Sequence, residues 1–279
     1  MKFGIDVIIG SKTRDREMIK KAVAAGASVN IQDEDGYTAL HWAVVKEDEA
    51  IVALLHELGA DLNIKNFKGR TPLEFACNMG NSNIVQQLAE YKADVNTSND
   101  GFTPLHAASA SGSLDAVKTL MEHGAMVDTQ DCGGCGRTPL HWAVQEGHTQ
   151  VVELLLSSGA NPNIHEEEGF TPLHIASTEG HKEICHLLLD SGLDDIDAIA
   201  DDGGTALHGA CAYGHLEIVK LLIAAHADFD RRDKDGWTPI DYAKKYKHKE
   251  IVEAMNRSQL SNATKKSHSS RTSKTQKIR

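Results

Sequence analysis

The chain has 279 residues, 41% of them hydrophobic, and a formal net charge of −11. Seven of its 29 Lys and Arg fall in 257–279 with no acid among them, so 1–256 set 22 basic residues against all 40 acidic ones. That balance argues against nucleic-acid affinity of the main body, whose potential repels phosphate. No run approaches the ~20 apolar residues of a membrane span, and Met1 to Gly10 is too short and too charged to read as a signal peptide.

Residues 1–32 come first. Met18-Ile19 and Gly26-Ala27-Ser28-Val29-Asn30 match Ile51-Val52 and Gly59-Ala60-Asp61-Leu62-Asn63 downstream. This stretch reads as a degenerate N-terminal capping repeat, since an end repeat turns one face to water. Seven full repeats are expected over 33–256. Each opens on a Thr: Thr38-Ala39-Leu40-His41, Thr71-Pro72-Leu73-Glu74, Thr103-Pro104-Leu105-His106, Thr138-Pro139-Leu140-His141, Thr171-Pro172-Leu173-His174, Thr205-Ala206-Leu207-His208 and Thr238-Pro239-Ile240-Asp241. The steps between these threonines are 33, 32, 35, 33, 34 and 33 residues.

Within each repeat the residues dictate the same local course. A Gly two positions before the Thr predicts a turn with positive φ. Thr predicts an N-cap, and Pro after it suits the first helical position, where no N–H is needed. A small residue five after the Thr (Ala43, Ala143, Ala210) lets neighbouring helices approach. Gly-His at 147–148, 180–181 and 214–215 ends that helix. A second, more apolar helix follows, with a stripe such as Ile51, Val52, Leu54 and Leu55 facing the stack. Gly59, Gly124, Gly159 and Gly192 are expected to close these second helices as left-handed caps, with Lys92 and His226 as less stable replacements. Loops are lengthened at Asp131-Cys132-Gly133-Gly134-Cys135-Gly136 and between Gly192 and Gly203. Residues 257–279 read as a disordered basic tail rich in Ser, Thr and Lys.

A period near 33 carrying T-P-L-H-x-A resembles the ankyrin-repeat family, over roughly 1–256. The resemblance implies an all-α repeat solenoid of helix-turn-helix units joined by hairpin loops. It also implies structural roles for the anchor pairs Thr38 and His41, Thr103 and His106, Thr138 and His141, Thr171 and His174, and Thr205 and His208. In the family the anchor His hydrogen-bonds the Thr and ties adjacent repeats. Glu74 and Asp241 depart from that pattern, so the tie is in question there.

Little points to chemistry. Repeated histidines are translated along a stack and do not converge on one metal. Cys132 and Cys135 form the one C-x-x-C, for which zinc or redox pairing, with His165 as a further ligand, is the functional reading. A flexible hairpin tip is the structural one. The five cysteines suit a reducing compartment. No GxxxxGK[ST], HExxH or GxSxG occurs. Catalytic residues, cofactor and metal are therefore expected to be absent.

The family binds partners along its hairpin tips and the concave face of its first helices. Carried onto this chain, those positions give Tyr37, Arg70, Phe102, Arg137, Phe170 and Trp237 one before the Thr, with Phe67, Met79 and Tyr213 extending the surface. Such aromatic and Arg residues either form binding hot spots or pack on neighbouring hairpins. Glu167, Glu168, Glu179, Asp201 and Asp202 add an acidic stretch suited to a basic segment of a partner, for which the chain's own tail is a competitor. The expected function is non-catalytic protein–protein recognition as adaptor, scaffold or inhibitor, by a monomer in cytoplasm or nucleus. The alternative is a targeting or regulatory subunit of a phosphatase, ubiquitin ligase or proteasome assembly, and a third reading is a metal or redox switch at Cys132 and Cys135.

Overall fold

Each repeat begins where its sequence says the backbone must bend. In the computed structural model, which describes residues 4–133 and 135–258, Gly36, Gly69, Gly101, Gly136, Gly169, Gly203 and Gly236 all have φ between 64° and 82°. At Gly101 the need is doubled. A Cβ there would also lie 2.4 Å from the carbonyl oxygen of Gln130 on the next hairpin. The Thr that follows is extended and caps a helix, with Pro in its first turn in five of the seven repeats.

The described residues divide into two compact units, one ending at Asn161 and the other beginning at Pro162. The first contains α1 (Gly4–Thr13), α2 (Arg16–Ala24), α3 (Ala39–Val45), α4 (Glu49–Glu57), α5 (Pro72–Asn78), α6 (Ser82–Glu90), α7 (Pro104–Ser111), α8 (Leu114–Glu122), α9 (Pro139–Gln145) and α10 (Thr149–Ser157). Within it the odd-numbered helices pack on one another in order, as do α4, α6, α8 and α10, so helix pairs stack in two layers. The second unit contains α11 (Pro172–Glu179), α12 (Lys182–Asp190), α13 (Ala206–Tyr213), α14 (Leu216–Ala224), α15 (Pro239–Lys245) and a last helix, α16, over 249–258. Here α11, α13 and α15 form one layer, and α12 packs on α14. Among the described residues there is no strand, only the isolated bridges Gln32–Thr38 and Asn99–Phe102.

The layers meet on the residues that the apolar pattern marks. Ala43, Ala76, Ala108, Ala143, Ala176, Ala210 and Ala243 are all fully buried, and a larger side chain there would hold the first helices apart. Ile51, Leu55, Ile84, Leu88, Leu120 and Leu155 fill the first unit, and Ile184, Leu188 and Leu222 the second. Burying such a side chain contributes about 1.5–3 kcal/mol. The stripe is narrower than expected in two helices, since Leu154 and Leu221 are only half-buried while Leu54 is buried.

Residues 4–24, which lack the Thr anchor, nevertheless form a helix pair, with Asp15 capping α2 through the Met18 N–H and Ile19 buried. Gly59, Gly124, Gly159 and Gly192 end their helices at φ between 82° and 93°, and Lys92 and His226 take the same turn at 71° and 68°. Arg257 and Ser258, expected in the tail, belong to α16. The remainder of that tail, with Lys265, Lys266 and its Ser and Thr residues, lies outside the described residues.

Candidate functional site

The anchor histidines are held from three directions. In His41, Nδ1 accepts the Thr38 N–H at 3.1 Å and faces the Thr38 hydroxyl at 2.9 Å, which leaves the proton on Nε2, 3.0 Å from the Arg70 carbonyl oxygen in the following repeat. His106 repeats this with Thr103 and Arg137, and in the second unit His174 does so with Thr171 and Gly204, His208 with Thr205 and Trp237. His141 has the same bond to the Thr138 N–H. Burial disfavours the imidazolium form, lowering His41, His106 and His208 and bringing His174 to about 4. His41, His106, His174 and His208 are therefore held neutral, in structural roles.

The two departures keep the cap but differ in cost. Asp241 Oδ2 accepts both the N–H and the hydroxyl of Thr238, and it is partly exposed. Glu74 is buried at 4% exposure, and burial raises its carboxyl to about 7 against the pull of Arg70, whose Nε lies 3.4 Å away. The turn histidines do more than end a helix. Nε2 of His148, His215 and His248 reaches the carbonyl oxygens of Ala110, Thr178 and Ala212 one repeat back.

The hairpins are built on acceptors that the sequence pattern left unremarked. Asp33 Oδ1 accepts the N–H groups of Asp35 and Tyr37, and Asn66, Glu166 and Asp233 do the same two and four residues on. The second carboxylate oxygen bonds an aromatic side chain of the first helix: Asp33 takes Trp42 Nε1–H at 2.8 Å, Asp131 takes Trp142 at 2.9 Å and Asp233 takes the Tyr242 hydroxyl at 2.7 Å. Burial works to raise Asp33 and Asp233, but these bonds leave both below the usual carboxylate range. An outer ladder joins successive hairpins, in which side-chain oxygens of Asn30, Asn63, Asn96 and Asp128, and of Asn163 and Asp197, accept the backbone N–H of Asp61, Asp94, Met126, Asn161, Asp194 and Asp228.

On this frame the aromatic tip residues pack inward in part. Tyr37 contacts His41, Trp42 and Phe75, Phe102 stacks on His106 and meets Trp142 edge-on, and Phe170 meets His174 edge-on. Trp237 is 36% exposed against Tyr242. Arg70 is exposed, and Arg137 lies 5.5 Å from the Trp142 ring. Of the expected partner-facing apolar residues Phe67 at 72% exposure, Tyr213 at 65% and the half-exposed Met79 are the most open, while Ile5, Met126, Ile199 and Tyr246 are exposed as well. Glu167, Glu168, Glu179, Asp201 and Asp202 are exposed in the second unit.

Only some of these gather into a concavity. In the second unit a groove of about 640 Å³ runs along α11, α13 and α15, lined by Phe170, Asp202, Tyr213 and Tyr242 among others and by no Lys or Arg. Two glycines open it. The position before the Thr, aromatic or Arg in the other six full repeats, is Gly204; the position four after the Thr, which holds Trp42, Phe75, Trp142 and Tyr242 in four of the others and Ala107 and Ile175 in the remaining two, is Gly209. Cys132 is exposed and Cys135 half-buried, both as free thiols, and His165 Nδ1 bonds the Gly169 carbonyl. Among the described residues no three His, Cys, Asp or Glu side chains converge as metal ligands would, and no helix is long and apolar enough to cross a membrane.

A family model describing three copies of ankyrin repeats matches residues 8–99, 53–131, 125–198 and 193–265. The chain belongs to the ankyrin-repeat family. Ankyrin repeats are protein–protein interaction modules, and the tips and grooves of these repeats are the surfaces to consider. No curated protein matches the chain.

Proposed function

We propose that this ankyrin-repeat chain acts without catalysis, as an adaptor, scaffold or inhibitor that holds a basic segment of another protein along α11, α13 and α15. One observation carries the reading. The groove on that face joins exposed aromatic surface at Tyr213 to the carboxylates of Asp202 and Asp233, with no Lys or Arg in its lining. Aromatic anchors supply burial, while the carboxylates steer encounter and set register. Exposed Glu167, Glu168, Glu179 and Asp201 extend the negative potential beyond the groove.

The test is capture of partners by the full chain, by Glu167→Lys/Glu168→Lys and by Tyr213→Ala/Trp237→Ala, with circular dichroism as the folding control. The expected result is a partner retained by the wild type and lost by the substituted faces, with binding that weakens as salt rises. A partner held equally by all three, or indifferent to salt, places recognition elsewhere and overturns the proposal.

A further inference from the structure

The first repeats contain a filled version of the arrangement that lines the groove. Lys12, in the last turn of α1, places its ammonium 3.2 Å from Asp33 Oδ2 and 4.0 Å from the centre of the Trp42 ring, while Trp42 Nε1–H bonds the same carboxylate oxygen. Asp33 follows Lys12 by 21 residues and Trp42 follows it by 30. In the second unit the same spacings run from Ala212 to Asp233 and Tyr242. Lys12 stands three residues before Asp15, the N-cap of α2, and Ala212 three before His215, the N-cap of α14. The hairpin carboxylate is prepared alike in both: Asp233 Oδ1 accepts Asp235 and Trp237 N–H, and its Oδ2 accepts the Tyr242 hydroxyl. The difference is the cation, since Ala212 has no charge to offer.

The neighbours of Asp233 leave that place open. Asp202, on the adjoining hairpin, uses Oδ1 for the Gly204 N–H and makes no ion pair among the described residues, and neither does Asp233. Lys245 lies 4.7 Å from the Trp237 ring and 5.8 Å from that of Tyr242, but it does not line the groove and does not pair with Asp233. Gly204 and Gly209 supply the width: a Cβ on Gly204 would lie 2.9 Å from Asp202 Oδ1, and one on Gly209 2.5 Å from Thr178 Oγ1. The floor histidines His174 and His208 are neutral and so do not repel a cation.

We propose that the slot bounded by Gly209, Ala212, Asp202, Asp233 and Tyr242 receives one Lys or Arg side chain from the basic segment of a partner protein, its charge at the two carboxylates and its stem against the Tyr242 ring. A cation over an aromatic face beside a carboxylate gains from both, and the apolar stem is buried at the same time. This rests on the reading that the second unit binds a basic segment, and adds to it the residue type read and the place where it is read.

The test uses the full chain and defined probes, acetyl-tetraarginine amide, acetyl-tetralysine amide and acetyl-tetraserine amide, followed by calorimetry and by amide chemical shifts of Gly204, Gly209 and Ala212. The informative variant is Ala212→Lys, which supplies from within the cation that Lys12 supplies to Asp33, with Ala212→Gln as the neutral control of similar length. The expected result is that the cationic peptides bind and tetraserine does not, and that Ala212→Lys weakens Kd by roughly tenfold while Ala212→Gln has a much smaller effect. Cationic peptides that bind all three proteins equally would overturn the slot and leave an acidic binding face standing. Binding seen only after Lys265, Lys266 and Arg271 are changed to Gln would name the chain's own C-terminal segment as occupant and overturn a partner in that role. Absence of binding under every condition would overturn both the slot and the basic-segment reading.

Discussion

Arg70 Nε, just before α5, lies 3.4 Å from Glu74 Oε1 in its first turn, and it is the cation beside a carboxyl buried where five other repeats bury an imidazole. The pair does not offset the burial, since Glu74 still titrates near 7. Its folded-state value stands above the unfolded one, so the folded chain holds a proton that the unfolded chain has lost between about pH 4.5 and 7. Stability therefore falls as pH rises through that window. Glu74→Gln removes the dependence. Relative to wild type it should be more stabilising at pH 8 than at pH 5, by roughly 1–3 kcal/mol, in urea denaturation midpoints.

The anchor histidines work in the opposite sense. Burial depresses His174 to about 4, below the unfolded value near 6.5, so the unfolded chain gains protons first as pH falls through that range. Stability is present above pH 6.5 and is lost on acidification. His174→Gln should flatten the loss between pH 6.5 and 4.5, at the cost of the bond to the Gly204 carbonyl. A denaturation series in which wild type and variant run parallel across that range would contradict the assignment.

Glycines with the same φ should differ in what they tolerate. Gly59 has φ 82° with nothing within 4 Å of an added Cβ, whereas Gly101 at 78° would place it against the Gln130 carbonyl. Gly59→Ala should cost about 1–2 kcal/mol, the ordinary cost of a left-handed residue, and Gly101→Ala clearly more. By the same reasoning Lys92→Gly and His226→Gly should raise the thermal midpoint.

The layers give a further contrast. Leu155 and Leu140 are fully buried, and truncation of either to Ala should cost about 2–5 kcal/mol. Glu167 is exposed, and Glu167→Lys should leave the denaturation midpoint within about 0.5 kcal/mol of wild type. Equal losses from the two kinds of substitution would mean that inside and outside have been interchanged.

Most of the frame was legible because it is written in periodic positions. Gly36, Thr38 and Ala43 have counterparts in all seven repeats and His41 in five, so the copies state the same requirement many times over. The hairpin carboxylates Asp33 and Asp233 also recur, five residues before the Thr, but their type varies with Asn66 and Glu166, and the aromatic they bond lies nine residues on. Neither residue alone suggests the pair. Whether Tyr37 packs or projects was open for a similar reason, since one of its three ring neighbours, Phe75, belongs to the next repeat and no period within one repeat announces it. The groove was hidden more deeply. It is made where Gly204 and Gly209 interrupt the pattern beside the small Ala212, and departures of that kind acquire meaning only when the flanking Phe170 and Tyr242 are placed beside them.

The outer ladder bears on how the molecule ages. Four of its six side-chain acceptors are Asn30, Asn63, Asn96 and Asn163, and two, Asp128 and Asp197, are already aspartate. Spontaneous deamidation to aspartate would leave an oxygen where each backbone N–H requires one. Asn96 would lose a second bond, from its Nδ2–H to the Gly124 carbonyl. Conversion to aspartate, as distinct from isoaspartate, would thus make an old molecule more acidic while its hairpins kept their register.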